Sequence, residues 1–307
     1  GDPTAGKGRN NMKLGVESFT MMKEFSEDFY GTLKRVSDMG LRYLEWLAII
    51  NKDDHGMGLG FKPQEAVKIF NDYGMELTGC IFVCDNMSDI VFDYDEMQKI
   101  IDWYHEAGCS AIGLANDYFV SPDFFKRRMD AYNEIGRRCK DAGMVWTYHN
   151  HFHEQQKIDG KTILDLMVEM TDPESVGFDW DVYWGTRGLV DPVQNIKKLG
   201  KKIKRFHCKD YPFAQLDHIN IAKELPEDEL VGWDHDDKFG AYALVKPEDF
   251  IECGQGIIKW QEVINAANEF EIPYMFVEQD YTTYPDKYVS LEASRDYLLS
   301  LNGLTIK

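Results

Sequence analysis

One stretch of the chain gathers more chemistry than any other. Tyr148-His149-Asn150-His151-Phe152-His153-Glu154 holds three of the eight histidines at alternate positions, with a carboxylate directly after the third. In an extended strand successive side chains point to opposite faces, so His149, His151 and His153 turn to one side. Imidazoles bind divalent metals and carry protons near neutral pH, and a carboxylate beside them adds a ligand or a second proton site. Three later segments end apolar runs in the same kinds of residue: Asp179-Trp180-Asp181, His207-Cys208-Lys209-Asp210 and Glu278-Gln279-Asp280.

Groups so far apart act together only if the fold delivers them to one place. From residue 13 onward a short apolar run, a polar turn and an amphipathic segment recur eight times. Strands are expected at 13–17, 42–46, 76–83, 110–115, 144–149, 176–181, 203–209 and 274–278. Helices are expected at 26–39, 63–73, 93–107, 121–142, 161–170, 192–199, 260–270 and 291–301. Pro63 opens one helix, which Gly74 stops, and Gly40, Gly108 and Gly143 stop three others. Eight strand-then-helix units predict an α/β protein, a single-domain (β/α)8 TIM barrel over 13–307. A doubly wound open sheet would want a GxGxxG turn after an early strand, and the sequence has none. A barrel collects its chemistry at the C-terminal strand ends. Glu45, His149 to Glu154, Asp179, Asp181, His207, Lys209, Glu278 and Asp280 would all meet there. Charged groups rarely point into a barrel unless paired or bound to metal, so a site for Mn²⁺, Zn²⁺ or a related divalent ion is expected.

One connection is far longer than barrel loops usually are. Residues 210–256 separate the seventh strand from its helix and carry Tyr211, His218, Trp233, His235 and Tyr242. The expectation is a lid over the barrel mouth, with Tyr211 among the substrate contacts. Composition narrows the partners. The content is 44% hydrophobic and 28% charged, as in ordinary globular proteins, and the net charge of −19 opposes a nucleic-acid role. No apolar run is long enough for membrane insertion. A small sugar substrate fits better, and self-association is left open. Cys80, Cys84, Cys109, Cys139, Cys208 and Cys253 form no CxxC pair and read as structural thiols. Residues 1–12 read as a disordered or tethering segment. The chain does not begin with Met, so an exported, periplasm-like location is the expectation, with the cytoplasm the alternative.

From residue 13 to the end, the chain resembles the xylose isomerase-like barrel superfamily, within its sugar phosphate isomerase/epimerase group. The marks are Tyr148-His149-Asn150-His151-Phe152-His153-Glu154 and Phe178-Asp179-Trp180-Asp181-Val182-Tyr183-Trp184 with Gly188 and Asp191-Pro192. Phe206-His207-Cys208-Lys209-Asp210, Gly254-Gln255-Gly256 and Val277-Glu278-Gln279-Asp280 complete them. The resemblance implies a divalent metal, Mn²⁺ first and Zn²⁺, Mg²⁺ or Co²⁺ as alternatives, held by Asp181, His207, Glu278 and one residue of strand five. Related enzymes place a glutamate in that fourth position. Glu154 is chosen here, with His149 or His151 as the alternative. Asp179 is expected to orient its neighbours. The family's histidine three residues after Asp181 is replaced by Trp184, expected to cover a sugar face.

The implied reaction is isomerisation or epimerisation of a sugar or sugar derivative. A metal-bound carbonyl and hydroxyl favour α-proton removal and a metal-stabilised enediolate. His151 is the first candidate base and His149 the second. Lys209 either holds an oxyanion or pairs with Asp181 or Glu278, and Glu45 is expected to bond sugar hydroxyls. The alternative from the same parts is a lyase or dehydratase acting on a keto-sugar or 3-keto-glycoside. A non-catalytic sugar-binding barrel is the third reading.

Overall fold

A computed structural model describes residues 11–84, 90–224 and 244–307. Eight parallel strands form its centre: β1 (Met12–Glu17), β2 (Tyr43–Ile50), β3 (Glu76–Cys84), β4 (Ala111–Leu114), β5 (Val145–His149), β6 (Val176–Asp181), β7 (Ile203–Cys208) and β8 (Tyr274–Val277). They pair in chain order, and β8 closes on β1 through Lys13 opposite Tyr274 and Val16 opposite Val277. Each strand is followed by a helix: α1 (Phe29–Asp38), α2 (Pro63–Asp72), α3 (Tyr94–Glu106), α4 (Pro122–Asp141), α5 (Ile163–Met170), α6 (Pro192–Leu199), α7 (Trp260–Glu269) and α8 (Lys287–Ser300). The fold is the (β/α)8 barrel that the eightfold rhythm predicts.

Local chemistry sets the helix ends. Ser121 and Asp93 accept hydrogen bonds from the N–H groups of Phe124 and Glu96, and prolines occupy the first turns of α2, α4 and α6. After α4 the chain turns at Gly143 with φ +75°, a left-handed conformation that glycine adopts without a Cβ clash. Two short helices were not legible in the apolar pattern. Met22–Glu27 precedes α1, and Val182–Arg187 follows β6, capped by Asp181.

Strand alternation divides the side chains into two cores. Leu14, Val16, Trp46, Trp146, Tyr148, Trp180, Phe206 and Val277 belong to the large apolar cluster shared with the helices. The intervening residues fill the barrel in layers. Tyr43, Tyr274 and Phe276 form an aromatic plug at the N-terminal end. Gly15 leaves room for it: a Cβ there would stand 2.3 Å from the Tyr43 carbonyl oxygen and 2.8 Å from the Phe276 ring. Above the plug lies a charged layer of Glu45, Asp179, Arg205 and His207, all buried. The C-terminal mouth comes next.

The insertion after β7 is tied at its base. Asp210 and Ile251 exchange backbone hydrogen bonds at 3.0 and 3.1 Å. The Asp210 carboxylate accepts from the N–H groups of Gly254 and Ile258 and from Trp260 Nε1. Trp233, His235 and Tyr242, with the middle of the expected lid, lie outside the described residues, as do residues 1–10 of the expected tether. Cys80, Cys109, Cys139, Cys208 and Cys253 are buried free thiols. The Cys84 side chain lies outside the described set. Among the described residues no helix is long and apolar enough to cross a membrane.

Candidate metal centre and cavity

Asp181 ends β6, His207 lies near the end of β7, and Glu278 directly follows β8. The barrel brings them together with His149, the last residue of β5. One ligand atom from each of the four lies within 4.8 Å of every other, and all four residues are buried. The ring tautomers are fixed from behind. His149 Nδ1 stands 3.0 Å from the Ala115 carbonyl oxygen, which can only accept, so Nδ1 carries the proton. His207 Nε2 donates to Glu45 Oε1 at 2.5 Å. The other ring nitrogens face the carboxylates: His149 Nε2 lies 3.4 Å from Asp181 Oδ2, and His207 Nδ1 contacts Glu278 Oε2; burial lowers the pKa of both imidazoles, but these acids outweigh it and raise both. His149 Nε2, His207 Nδ1 and Glu278 Oε2 are buried and make no hydrogen bond among the described residues. Such a cluster draws in positive charge, as protons on the rings or as a shared cation, and two N and two O donors suit a divalent transition metal. The residues fit the ion that the sequence led us to expect.

At the strand-five corner the group of four holds His149, the alternative, and not the first choice, Glu154. After His149 the chain leaves the strand and enters a short 3-10 turn, His153–Gln155, so the alternation ends there. The Glu154 carboxylate folds back to accept Tyr148 Oη at 2.7 Å and the His151 N–H at 3.0 Å. His153 Nε2 donates to the Asp117 carbonyl at 2.8 Å, and its ring stacks on Tyr118. His151, His153 and Glu154 form a second compact group, but these bonds account for Glu154 and His153 as supports of the turn. Glu154→Gln is accordingly expected to keep a full equivalent of bound metal while turnover falls about tenfold or more through a displaced His151. Elemental analysis beside an activity assay checks it; loss of the metal would return Glu154 to the ligand set.

Glu45 and Tyr211 also stand elsewhere than the sequence placed them. Because the apolar run of β2 continues to Ile50, Glu45 sits mid-strand, below the mouth. It accepts Arg205 Nη1 at 2.6 Å and His207 Nε2. Burial opposes its ionisation, but Arg205 and His207 outweigh this and hold Glu45 down at about 2. Its place is behind His207, fixing that ring as carboxylates commonly fix metal-binding histidines. Asp179 lies on the same nitrogen at 3.3 Å and is raised to about 6 by burial and by Glu45. Tyr211 is fully buried in a cluster with Tyr183, Trp184 and Phe250, and its hydroxyl donates to the Gln215 carbonyl. It does not line the cavity.

The cavity has about 190 Å³ of room, below the range of drug-sized ligand sites and suited to a small molecule. His149 and Glu278 form part of its lining; His151 and Trp184 stand together on one wall, their ring centres 5.3 Å apart. Burial first, then the neighbouring His149, His153 and Lys209, pushes the His151 imidazole well below its ordinary value, which favours the neutral ring. Lys209 is fully buried, with Nζ 2.8 Å from Asp181 Oδ2, 2.8 Å from Glu278 Oε1 and 3.1 Å from Asp280 Oδ1. Of its two expected partnerships, the ion pair with Asp181 and Glu278 is the one present. Burial raises the Glu278 pKa, but Lys209 and His207 overcome this and hold the carboxyl well below the usual range. Asn150 ties the turn to β6: its Oδ1 accepts the Asp181 N–H at 2.7 Å.

Sequence reasoning missed several residues of the lining, Glu17, Phe19, Leu47 and Asn116 among them. Only Glu17 left a signal, as the one charged residue on the inward face of Leu14-Gly15-Val16-Glu17.

With this geometry in hand, three comparisons bear on the chain. Residues 33–296 match the family model described as the xylose isomerase-like TIM barrel. Among curated proteins, an inosose dehydratase of Lacticaseibacillus casei is 24% identical over 147 residues, 48% of this chain and 44% of that protein. An inosose dehydratase of Mesomycoplasma hyopneumoniae (strain 7448) is 21% identical over 237 residues, 70% of this chain and 75% of that protein. Among solved structures, a sugar phosphate isomerase/epimerase from Parabacteroides distasonis superimposes with a TM-score of 0.74. It is 20% identical and covers 98% of this chain and 97% of its own.

Proposed function

Because the chain belongs to the xylose isomerase-like TIM barrel family, we propose that it is a divalent-metal-dependent isomerase or epimerase of a sugar or sugar derivative. The observation that carries this reading is the buried grouping of His149, Asp181, His207 and Glu278, two nitrogen and two oxygen ligand atoms within 4.8 Å of one another, beside a cavity that His151 also lines. A divalent cation held by these four residues supplies Lewis-acid polarisation of adjacent carbonyl and hydroxyl oxygens. The protein's own groups do the rest. Trp184 covers an apolar face of the sugar and keeps water from that wall. His151 removes the proton α to the carbonyl. Lys209 holds the outer oxygens of Asp181 and Glu278 and fixes where both carboxylates point.

A second reading has a specific support: the curated relatives above are inosose dehydratases. The same α-proton removal gives elimination when a hydroxyl on the next carbon leaves as water. Both readings are tested by NMR of metal-loaded protein in D2O with ketohexoses, ketopentoses and 2-keto-myo-inositol. Solvent deuterium at the α-carbon with a second epimer supports epimerisation; an unsaturated, dehydrated product supports the dehydratase. Protein that does neither overturns both. In the same assay His151→Gln is expected to retain its metal and to lose about 100-fold or more of its α-proton removal from the epimer whose α-hydrogen faces His151. Loss of metal from that variant would place His151 among the ligands.

A further inference from the structure

One carboxyl in the cavity has no task so far. Glu17 closes β1, is fully buried and lines the cavity. Its Oε2 accepts the Phe19 N–H at 2.9 Å, while Oε1 is shut away from water with no hydrogen-bond partner. Leaving a buried oxygen unsatisfied is unfavourable, and no partner for it stands among the described residues. The neighbouring acids are otherwise engaged: Glu278 and Asp280 are held by Lys209.

The barrel determines what Glu17 faces. In the closed ring of eight strands β1 and β5 are diametrically opposed, with three strands between them on either side. His151 follows β5 and lines the same cavity. A sugar seated there has an imidazole at one face and a carboxyl at the other.

We propose that Glu17 is a second catalytic residue, a carboxyl that meets the substrate on the face opposite His151 and delivers the proton that inverts the α-carbon. This rests on the epimerase reading above. His151 takes the α-hydrogen as a proton; the C–H electron pair becomes the carbon–carbon double bond of an enediolate, and the carbonyl π pair moves to oxygen, which becomes negative. Glu17 then gives a proton to the opposite face of that carbon, a new C–H bond forms and the carbonyl returns. The imidazolium and the carboxylate reset by exchanging protons with solvent. No electrons enter or leave.

The test follows epimer formation and solvent exchange separately, in D2O, with the metal-loaded full chain and the same ketohexose and ketopentose panel. Wild-type protein is expected to form an epimer carrying solvent deuterium. Glu17→Gln should keep its metal by elemental analysis and keep deuterium exchange into unconverted substrate, within about threefold, while epimer formation falls about 100-fold or more. Glu17→Asp should recover part of it. His151→Gln should show the mirror pattern, with exchange only from the opposite epimer, which a merely structural role for Glu17 does not produce. Glu17→Gln that epimerises at the wild-type rate, or that loses exchange together with epimerisation, overturns the proposal while the epimerase reading stands. Wild-type protein that gives only a dehydrated product removes that reading, and the role for Glu17 with it.

Discussion

Asp181→Ala is expected to yield a folded protein without metal and without turnover. Asp181 divides its two oxygens: Oδ1 caps the helix after β6 through the Trp184 N–H at 2.9 Å, and Oδ2 faces His149 and Lys209. Removing the cap costs about 1 kcal/mol, which a barrel of this size tolerates. Removing Oδ2 deletes one of four ligands and leaves Lys209 to compete for Glu278. Partners outside a metal's ligand set already contribute 10–100-fold to affinity in typical sites, so loss of a ligand should weaken binding by at least ~100-fold. Turnover should fall by roughly 1,000-fold, corresponding to about 4 kcal/mol of lost charge stabilisation. Metal content by elemental analysis, with circular dichroism to show the fold, checks it. A full equivalent of metal in Asp181→Ala removes Asp181 from the centre.

The second large effect lies beneath the site. Arg205, fully buried inside the barrel, donates to Glu45 at 2.6 Å and to Ser110 Oγ at 3.0 Å, tying β7 to β2 and to the entry of β4. Its guanidinium lies over Phe276, 5.4 Å from the ring centre. Arg205→Met keeps much of the volume but strands Glu45 and Asp179 as buried acids without their cation. Breaking a buried pair by removing one partner typically costs 3–5 kcal/mol, and a loss of about that size is expected in urea unfolding. Activity should fall as well, because Glu45 holds the His207 ring. Arg205→Met combined with Glu45→Gln should recover part of the stability, since the second change removes the stranded charge. A single mutant as stable as wild type would show that the pair contributes little.

These two sites show what the sequence could and could not convey. The strand and helix rhythm was legible because each apolar run is bounded by a local stop, as at Gly143, or a local start, as at Ser121. The convergence of Asp181, His207 and Glu278 was legible because each lies at or near the end of its strand, where barrel geometry alone sets its direction. The fourth corner was not. Alternation relates His149 to His151 only while the chain stays extended, and hydrogen bonds inside the turn, Glu154 to Tyr148 and to His151, decide which group faces the mouth. Glu45 was misplaced for a different reason: its height depends on where β2 ends, and the run from Leu47 to Ile50 extends the strand past it. Glu17 stood alone at the end of β1, and its importance appears only when the opposite wall is known.

The account turns on one centre built from His149, Asp181, His207 and Glu278. The most direct measurement is a crystal structure of the protein grown with Mn²⁺, with anomalous diffraction collected at the manganese edge. The predicted result is one anomalous peak bonded to those four side chains, with Glu45 on the far nitrogen of His207 and Glu154 still bound to Tyr148 and the His151 N–H. A peak ligated by Glu154 in place of His149, or crystals saturated with Mn²⁺ that show no peak in the barrel mouth, would contradict it.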